Sequence, residues 1–259
     1  MRLTKKQYIA ISACLTAASV AVALLLINRL GVGQAQIPQD IAPADIAPSQ
    51  EAAGPKPEPE PLYTDGLRPA DRDIDFDALL EINEDVIAWI SVPGTEIDYP
   101  VVWRGNNAYY LDRDIDGKYS MYGTIFMDMG NKAGFTDRNT VIYGHNMKDG
   151  TMFAQLHDFA SPEFFEQNRE IKLYTPEGMR VYEIFAAYTT DDRNVLYERD
   201  YSDDAVWEDY ISEIYGHKVS GAIFLQNEMG KGDRILTLST CVTGEDEQRY
   251  LVQGVLKRD

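Results

Sequence analysis

Cysteine is almost missing from this chain: of its 259 residues, only Cys14 and Cys241 carry a thiol. Cys14 sits inside an uncharged apolar run, so a domain exported beyond that run holds one thiol and no internal disulfide. Histidine is nearly as scarce. Its three residues form no HxxxH pair, and without a second exported cysteine no metal-ligand spacing exists. The acid-rich stretch from Asp112 to Gly117 is loop-like but lacks the regular Asp-x-Asp-x-Asp-Gly pattern of a calcium loop, so neither a metal nor a cofactor is expected. Basic residues are outnumbered, 24 Lys and Arg against 42 Asp and Glu, for a formal net charge of −18. A surface this acidic repels phosphate backbones, which argues against a nucleic-acid partner. Internal repeats are also absent.

What remains is 44% hydrophobic and 11% aromatic, enough for one sizeable core. Residues 1–7 form a short basic start, and Tyr8 to Ile27 is a run of 20 residues without charge, broken only by Ser and Thr among its polar types. At ~1.5 Å per residue it is long enough for a ~30 Å hydrocarbon core. The competing reading is a cleaved signal peptide, with Gly33-Gln-Ala35 as a weak cleavage site, but a cleaved apolar region is usually only ~7–15 residues long. A retained transmembrane anchor over residues 8–30 is therefore expected. Arg2, Lys5 and Lys6 precede it and only Arg29 follows closely, which places the N-terminus in the cytoplasm and the remainder outside, a single-pass type II arrangement in the cell membrane. Residues 31–72 hold eight of the twelve prolines, much Ala, Glu and Asp, and almost no aromatics, so they read as a disordered linker. Its stretch Pro55-Lys-Pro-Glu-Pro-Glu-Pro61 favours polyproline II, a semi-rigid stalk.

From residue 73 to 259 the pattern becomes that of a folded domain. Asp75 predicts a helix N-cap, with Asp77 in the first turn and Phe76, Leu79, Leu80, Ile82, Val86 and Ile87 at roughly helical spacing. Val92-Pro-Gly-Thr95 reads as a turn, and strands are expected at Ile97 to Trp103, Gly123 to Met127, Thr140 to Tyr143, Glu170 to Thr175 and Arg180 to Thr189. Thr151 to Phe159 and Ser161 to Gln167 look like short helices, the second capped by Ser161 with Pro162 at its first position. Ser202 to Tyr215 predicts a longer helix, with Ser202 as cap and Trp207, Tyr210, Ile211 and Ile214 on a core-facing side. Strands with so little helix between them cannot build a parallel βαβ sheet, so the expected fold is mainly β, an antiparallel and mostly closed barrel with decorating helices.

Two further strands carry the chemistry. Arg234-Ile-Leu-Thr-Leu-Ser-Thr-Cys241 and Arg249-Tyr-Leu-Val-Gln-Gly-Val-Leu256 flank an acid- and Gly-containing turn, Val242 to Gln248, and read as a hairpin that sets Cys241 beside Arg249. Asn139-Thr-Val-Ile-Tyr-Gly-His145-Asn-Met delivers a histidine at the end of its own strand, as if to the same rim. Cys, His and Arg together supply a nucleophile, a proton carrier and an oxyanion donor. On its own, Cys241 would read as a small buried apolar residue; its company makes it a nucleophile. His157 and His217, in polar surroundings at helix ends, read as surface residues.

These same segments carry a resemblance. Thr237-Leu-Ser-Thr-Cys241 resembles the TLxTC motif of sortases, and Tyr143-Gly-His-Asn146 is similar to the motif around their catalytic histidine. Trp89-Ile-Ser-Val-Pro-Gly-Thr-Glu-Ile-Asp-Tyr-Pro100, Asn107-Ala-Tyr-Tyr-Leu-Asp-Arg-Asp-Ile-Asp-Gly-Lys118 and Gly123-Thr-Ile-Phe-Met-Asp128 resemble class B sortases in particular, in the same order. The resemblance implies a closed eight-stranded barrel and a cysteine transpeptidase that cleaves a cell-wall sorting signal after its threonine. The surface protein is held as a thioacyl-enzyme and joined to an amino group of a peptidoglycan precursor of the lipid II type. It implies Cys241 as nucleophile, His145 as general acid and base and Arg249 as oxyanion and substrate clamp, with Asn107, Tyr143, Ser239 and Thr240 helping to bind the peptide. One departure is Val242, where many class B relatives carry an acid directly after the cysteine; here the acids come at Glu245, Asp246 and Glu247. Two other readings stand beside it: a hydrolytic thiol protease on the same scaffold, and a non-enzymatic, stalked surface-binding domain. The Cys-His-Arg set speaks against the last.

The charge asymmetry around the apolar run is testable. Protease added to intact protoplasts should release the folded domain by cutting within the stalk, and a mature N-terminus beginning just after Ala35 would contradict a retained anchor.

Overall fold

A computed structural model of the chain describes residues 66–193, 196, 199–217, 219–226 and 229–258. The expected anchor at 8–30 and most of the linker at 31–72 lie outside the described residues; no helix among those described is long and apolar enough to cross a membrane. Residues 66–72, the end of the expected linker, run along the folded domain: Arg68 exchanges backbone hydrogen bonds of 2.8 Å with Met179, and Asp71 pairs with Lys172 at 2.5 Å.

Nine strands form one sheet: β1 (Val86–Ser91), β2 (Asp98–Val102), β3 (Ile125–Met127), β4 (Asn139–Tyr143), β5 (Glu170–Thr175), β6 (Gly178–Asp191), β7 (Ile223–Phe224), β8 (Ile235–Val242) and β9 (Glu245–Leu256). Their order is β5-β1-β2-β3-β4-β8-β9-β6-β7, and a further β5–β6 ladder closes eight of them into a barrel, with β7 appended beside Ala186 and Ala187 of β6. The architecture is thus the mainly β, closed eight-stranded barrel expected. It is not wholly antiparallel, however: β2–β3 and β4–β8 are parallel. Parallel neighbours require a crossover of roughly a dozen residues or more. Both pairs have one: residues 103–124 lie between β2 and β3, and β5, β6, β7 and the helices around them lie between β4 and β8.

Among the described residues, three α-helices decorate the barrel: α1 (Phe76–Ile82), α2 (Pro162–Gln167) and α3 (Asp204–Gly216). Asp75 caps α1 by accepting from Ala78 N at 2.9 Å, but the helix stops at Ile82 rather than running on to Val86 and Ile87. Asn83 turns extended there and its side chain accepts from Asp85 N, so the β-branched pair enters β1, where Val86 faces Val102. Ser161 caps α2 as expected, with Pro162 at its first position. In the segment ahead of it the chain forms a 3₁₀ helix, Ala154–Ala160. The cap of α3 is Asp203 rather than Ser202: the Asp203 carboxylate accepts from Ala205 N and Val206 N, while the Ser202 hydroxyl donates to Asp200 at 2.6 Å. A carboxylate at a helix N-terminus also meets the positive end of the helix dipole, which a hydroxyl does less well.

The two-residue period of the strands sorts their side chains. Leu236, Leu238, Tyr250, Val252, Ile142 and Ile125 point inward to the main core. The alternate residues face outward, where Ile235 and Leu251 pack with Phe185 and Tyr188 against Trp207, Tyr210 and Ile214 of α3. A polar network is buried in this second layer: Gln253 Nε2 donates to Tyr210 OH and Thr237 Oγ1, both at 2.9 Å, and Thr237 Oγ1 donates to Asn139 Oδ1 at 2.8 Å. One end of the outer face of β4, β8 and β9 is thereby covered by α3. The other end is open.

Candidate active site

At that open end, the same parity that turns Leu238 inward turns Ser239 and Cys241 outward on β8, Tyr143 outward on β4, Phe126 outward on β3 and Arg249 outward on β9. Strand pairing puts them in a row. Phe126 is opposite Tyr143, with rings 5.2 Å apart, Tyr143 is opposite Ser239, and Cys241 is opposite Arg249. The resulting cleft, about 270 Å³, is lined by all seven residues singled out from the sequence: Cys241, His145, Arg249, Asn107, Tyr143, Ser239 and Thr240. Leu111, Thr124, Gly144 and Asp192 complete much of its wall. It lies on the outside of the barrel, and Cys241 is exposed in it.

Each of the three reactive side chains is held differently. Thr243 and Gly244, with φ +83° at Gly244, make the tight turn that closes the β8–β9 hairpin. Pairing shifts between Cys241 and Val242, so that Cys241 faces Arg249 while Val242 faces Glu245. The Arg249 guanidinium donates through Nη1 to the carbonyls of Asp246 and Gln248, both at 2.8 Å. The acidic turn thus holds Arg249 through its backbone, and the carboxylates of Glu245, Asp246 and Glu247 are exposed. His145 follows Gly144, a position where close packing excludes a larger residue: an added Cβ would stand 2.5 Å from Ile125 Cδ1 and 2.6 Å from Phe153 Cγ. The imidazole Nε2 lies 2.7 Å from the carbonyl oxygen of Leu111. A carbonyl only accepts, so Nε2 carries its hydrogen in either charge state and Nδ1 is left as the nitrogen that gains or loses a proton.

The four expected peptide-binding residues divide. Asn107 and Tyr143 are half-buried, and both are fixed by Asp128, a fully buried carboxylate that the sequence reading did not select. Asp128 Oδ2 accepts from Asn107 Nδ2 at 2.9 Å and from Tyr143 OH at 2.8 Å, and Oδ1 accepts from Gly130 N at 2.7 Å. Asn107 Oδ1 in turn accepts from Met129 N at 2.7 Å, which settles the direction of its amide. An acid at the end of the apolar run Ile125-Phe-Met127 was the available signal. Ser239 and Thr240 are buried, and the Thr240 hydroxyl is committed to the Gly144 carbonyl at 2.8 Å. Asn146 and His157, also unselected, both reach the Cys241 carbonyl, at 2.9 and 3.0 Å. His157 is therefore not the free surface residue expected; its ring packs 4.7 Å from that of Tyr250, whose hydroxyl burial pushes well above the usual tyrosine range. His217 stacks on Tyr188, 4.6 Å between centroids, away from the cleft. Beside the His145 loop, Asp149 accepts from Thr151 Oγ1 at 2.6 Å and from Tyr122 OH at 3.0 Å. The Thr151 hydroxyl bond, chief among these, holds the Asp149 carboxyl below its ordinary range. Among the described residues, no group of three or more His, Cys, Asp or Glu is placed to hold a metal ion.

A thiol, an imidazole and a guanidinium in one solvent-open cleft on a closed barrel define a thiol-dependent acyl-transfer enzyme. Comparison with known proteins makes the class specific. Residues 90–257 match the model of the sortase domain. Sortase B of Listeria monocytogenes is 35% identical over 181 residues, covering 69% of this chain and 72% of that protein. The crystal structure of Clostridium perfringens sortase B superposes with a TM-score of 0.64 at 33% identity, over 71% of this chain and all of that one. A Staphylococcus aureus sortase B–substrate complex gives 0.64 at 31% identity, over 71% and 84%. The chain belongs to the sortase family, in its class B, and is a cysteine transpeptidase of the kind that anchors surface proteins.

Removing the Asp128 carboxylate takes the acceptor from three donors, two of them on half-buried side chains within reach of water, and one buried donor left unsatisfied typically costs about 1–3 kcal/mol. Asp128→Ala should lower unfolding stability by that amount in a denaturant titration; a change below ~0.5 kcal/mol, the usual range for surface substitutions, would show that the carboxylate does not organise this wall.

Proposed function

We propose that this sortase is a membrane-anchored enzyme, held by the apolar segment at residues 8–30, that cleaves a sorting signal after its threonine and joins the surface protein to an amino group of a peptidoglycan precursor. The observation that carries the reading is that Cys241, His145 and Arg249 line one cleft. In this reading the Cys241 sulfur attacks the threonine carbonyl carbon, the oxygen takes the negative charge, and Arg249 stabilises it. His145, protonated, gives its Nδ1 proton to the departing amine as the C–N bond breaks, leaving a thioester. The incoming amine then attacks that thioester, its proton passes to His145, and the Cys241 thiolate leaves. Asn107 and Tyr143, held by Asp128, flank the path of the peptide. Ser239 and Thr240 shape its floor, Thr240 with its hydroxyl turned to Gly144 rather than to the cleft. A substrate complex of a related sortase B gives the peptide-binding reading its precedent.

Arg249→Lys separates two roles of the guanidinium, because lysine keeps the charge but loses the planar fork. With the full-length protein, a sorting-signal peptide and an amine acceptor, Cys241→Ala should abolish both cleavage and transfer. Arg249→Lys should lower the rate by ~10²–10³, the usual worth of an oxyanion donor. Near-normal transfer by Arg249→Ala would remove Arg249 from the mechanism, and cleavage unaffected by added amine would favour the hydrolytic protease.

A further inference from the structure

Strand β8 outruns its β4 ladder just where it carries the thiol: that register ends at Tyr143 opposite Ser239, two residues short of Cys241. On the β9 side Cys241 still pairs with Arg249, and the pairing slips immediately after it. Strand pairing therefore holds the peptide that bears the nucleophile from one side alone.

Other groups take over. Gly144 N donates to Ser239 O at 3.2 Å, and Thr240 Oγ1 donates to Gly144 O at 2.8 Å. Two residues on, Asn146 Nδ2 donates to Cys241 O at 2.9 Å and to Thr243 Oγ1 at 3.1 Å. From the 3₁₀ segment, His157 Nε2 lies 3.0 Å from the same Cys241 oxygen and 3.1 Å from Asn146 Nδ2. The two amide hydrogens of Asn146 are taken by Cys241 O and Thr243 Oγ1, and the carbonyl oxygen can only accept, so Nε2 carries a hydrogen and gives that oxygen its second bond. The His157 ring is set by its contact with Tyr250, which is the register partner of Thr240 on β9. Thus Gly144 and Asn146, the residues on either side of His145, are each bonded to β8, and His157 ties the same carbonyl to the top of β9.

We infer that Asn146 and His157 are positioning residues for Cys241: by holding its carbonyl they keep the sulfur in a fixed relation to His145, where the β4–β8 ladder no longer does so. A histidine present only to decorate the surface would need neither a defined ring contact nor an aimed N–H. The inference rests on the reading of Cys241 as the nucleophile. The effect belongs to the chemical step, because the carbonyl of Cys241 is bound from behind and neither residue lines the cleft. A neutral hydrogen bond of this kind is worth roughly threefold to tenfold in rate, and misplacing a reacting atom by ~1 Å costs up to ~10²-fold.

The test uses the full-length protein and whichever peptide, of LPxTG or NPxTx type, the wild type cleaves faster. His157→Phe keeps a ring on Tyr250 and removes the donor; His157→Gln keeps an N–H near the Nε2 position and removes the ring. The Phe variant should lose about tenfold in kcat with KM changed by less than about twofold, Gln should recover most of the loss, and Asn146→Ala should resemble Phe. Wild-type kcat in both His157→Phe and Asn146→Ala, a loss confined to KM, or a Gln variant as slow as Phe would each overturn the inference. Cys241→Ala run in parallel keeps the two levels apart: if it still cleaves, the nucleophile assignment itself falls, whereas if it is inert and His157→Phe is fully active, only the positioning role falls.

Discussion

The pairing of β8 with β4 on one side and β9 on the other is the constraint from which the rest of this molecule follows. Parallel pairing with β4 sets Tyr143 beside Ser239, with Gly144 and His145 following it toward the Cys241 end of β8; antiparallel pairing with β9 sets Arg249 across from Cys241. A shift of one residue in either ladder would turn Cys241 toward the barrel interior or Arg249 away from it, because side chains alternate faces strictly. The register is held by burial on both faces: Leu236 and Leu238 are fully buried inside, and Thr237 is locked outside by Asn139 and Gln253.

Fixing three strands at one end leaves Cys241 where the β4 ladder has stopped and only β9 still pairs with it. With a strand paired on both sides, the backbone groups of Cys241 would be wholly engaged and its surroundings closed. Beyond the β4 ladder the thiol is exposed, at the expense of order that side chains must restore. Asp128 restores it on the Asn107 and Tyr143 wall, and Asn146 and His157 restore it behind Cys241. None of these three lines the cleft; each holds a neighbouring side chain or peptide through hydrogen bonds.

Local features of this architecture were readable from sequence, and the features that depend on distant contacts were not. The Cys241–Arg249 juxtaposition follows from two alternating strands and a short turn, so it could be anticipated, and the structure pairs the two residues. Strand direction carries no comparable mark, and the parallel β2–β3 and β4–β8 ladders went unforeseen for that reason. Val86 and Ile87 satisfied a helical period as well as a strand one; Asn83 decided between them by turning extended. The two-residue β7 is too short to show a period at all. The contact of His157 with the Cys241 carbonyl spans 84 positions, through a fold that no local pattern reveals.

Acyl transfer through the sulfur of Cys241, as proposed, can be trapped by mass spectrometry of the protein quenched in acid during cleavage of a sorting-signal peptide with the amine acceptor withheld. An adduct is expected on the peptide containing Cys241, equal in mass to the signal up to and including its threonine acyl group, that disappears when the acceptor amine is added. Cleavage without any such adduct, or an adduct on another residue, would contradict it.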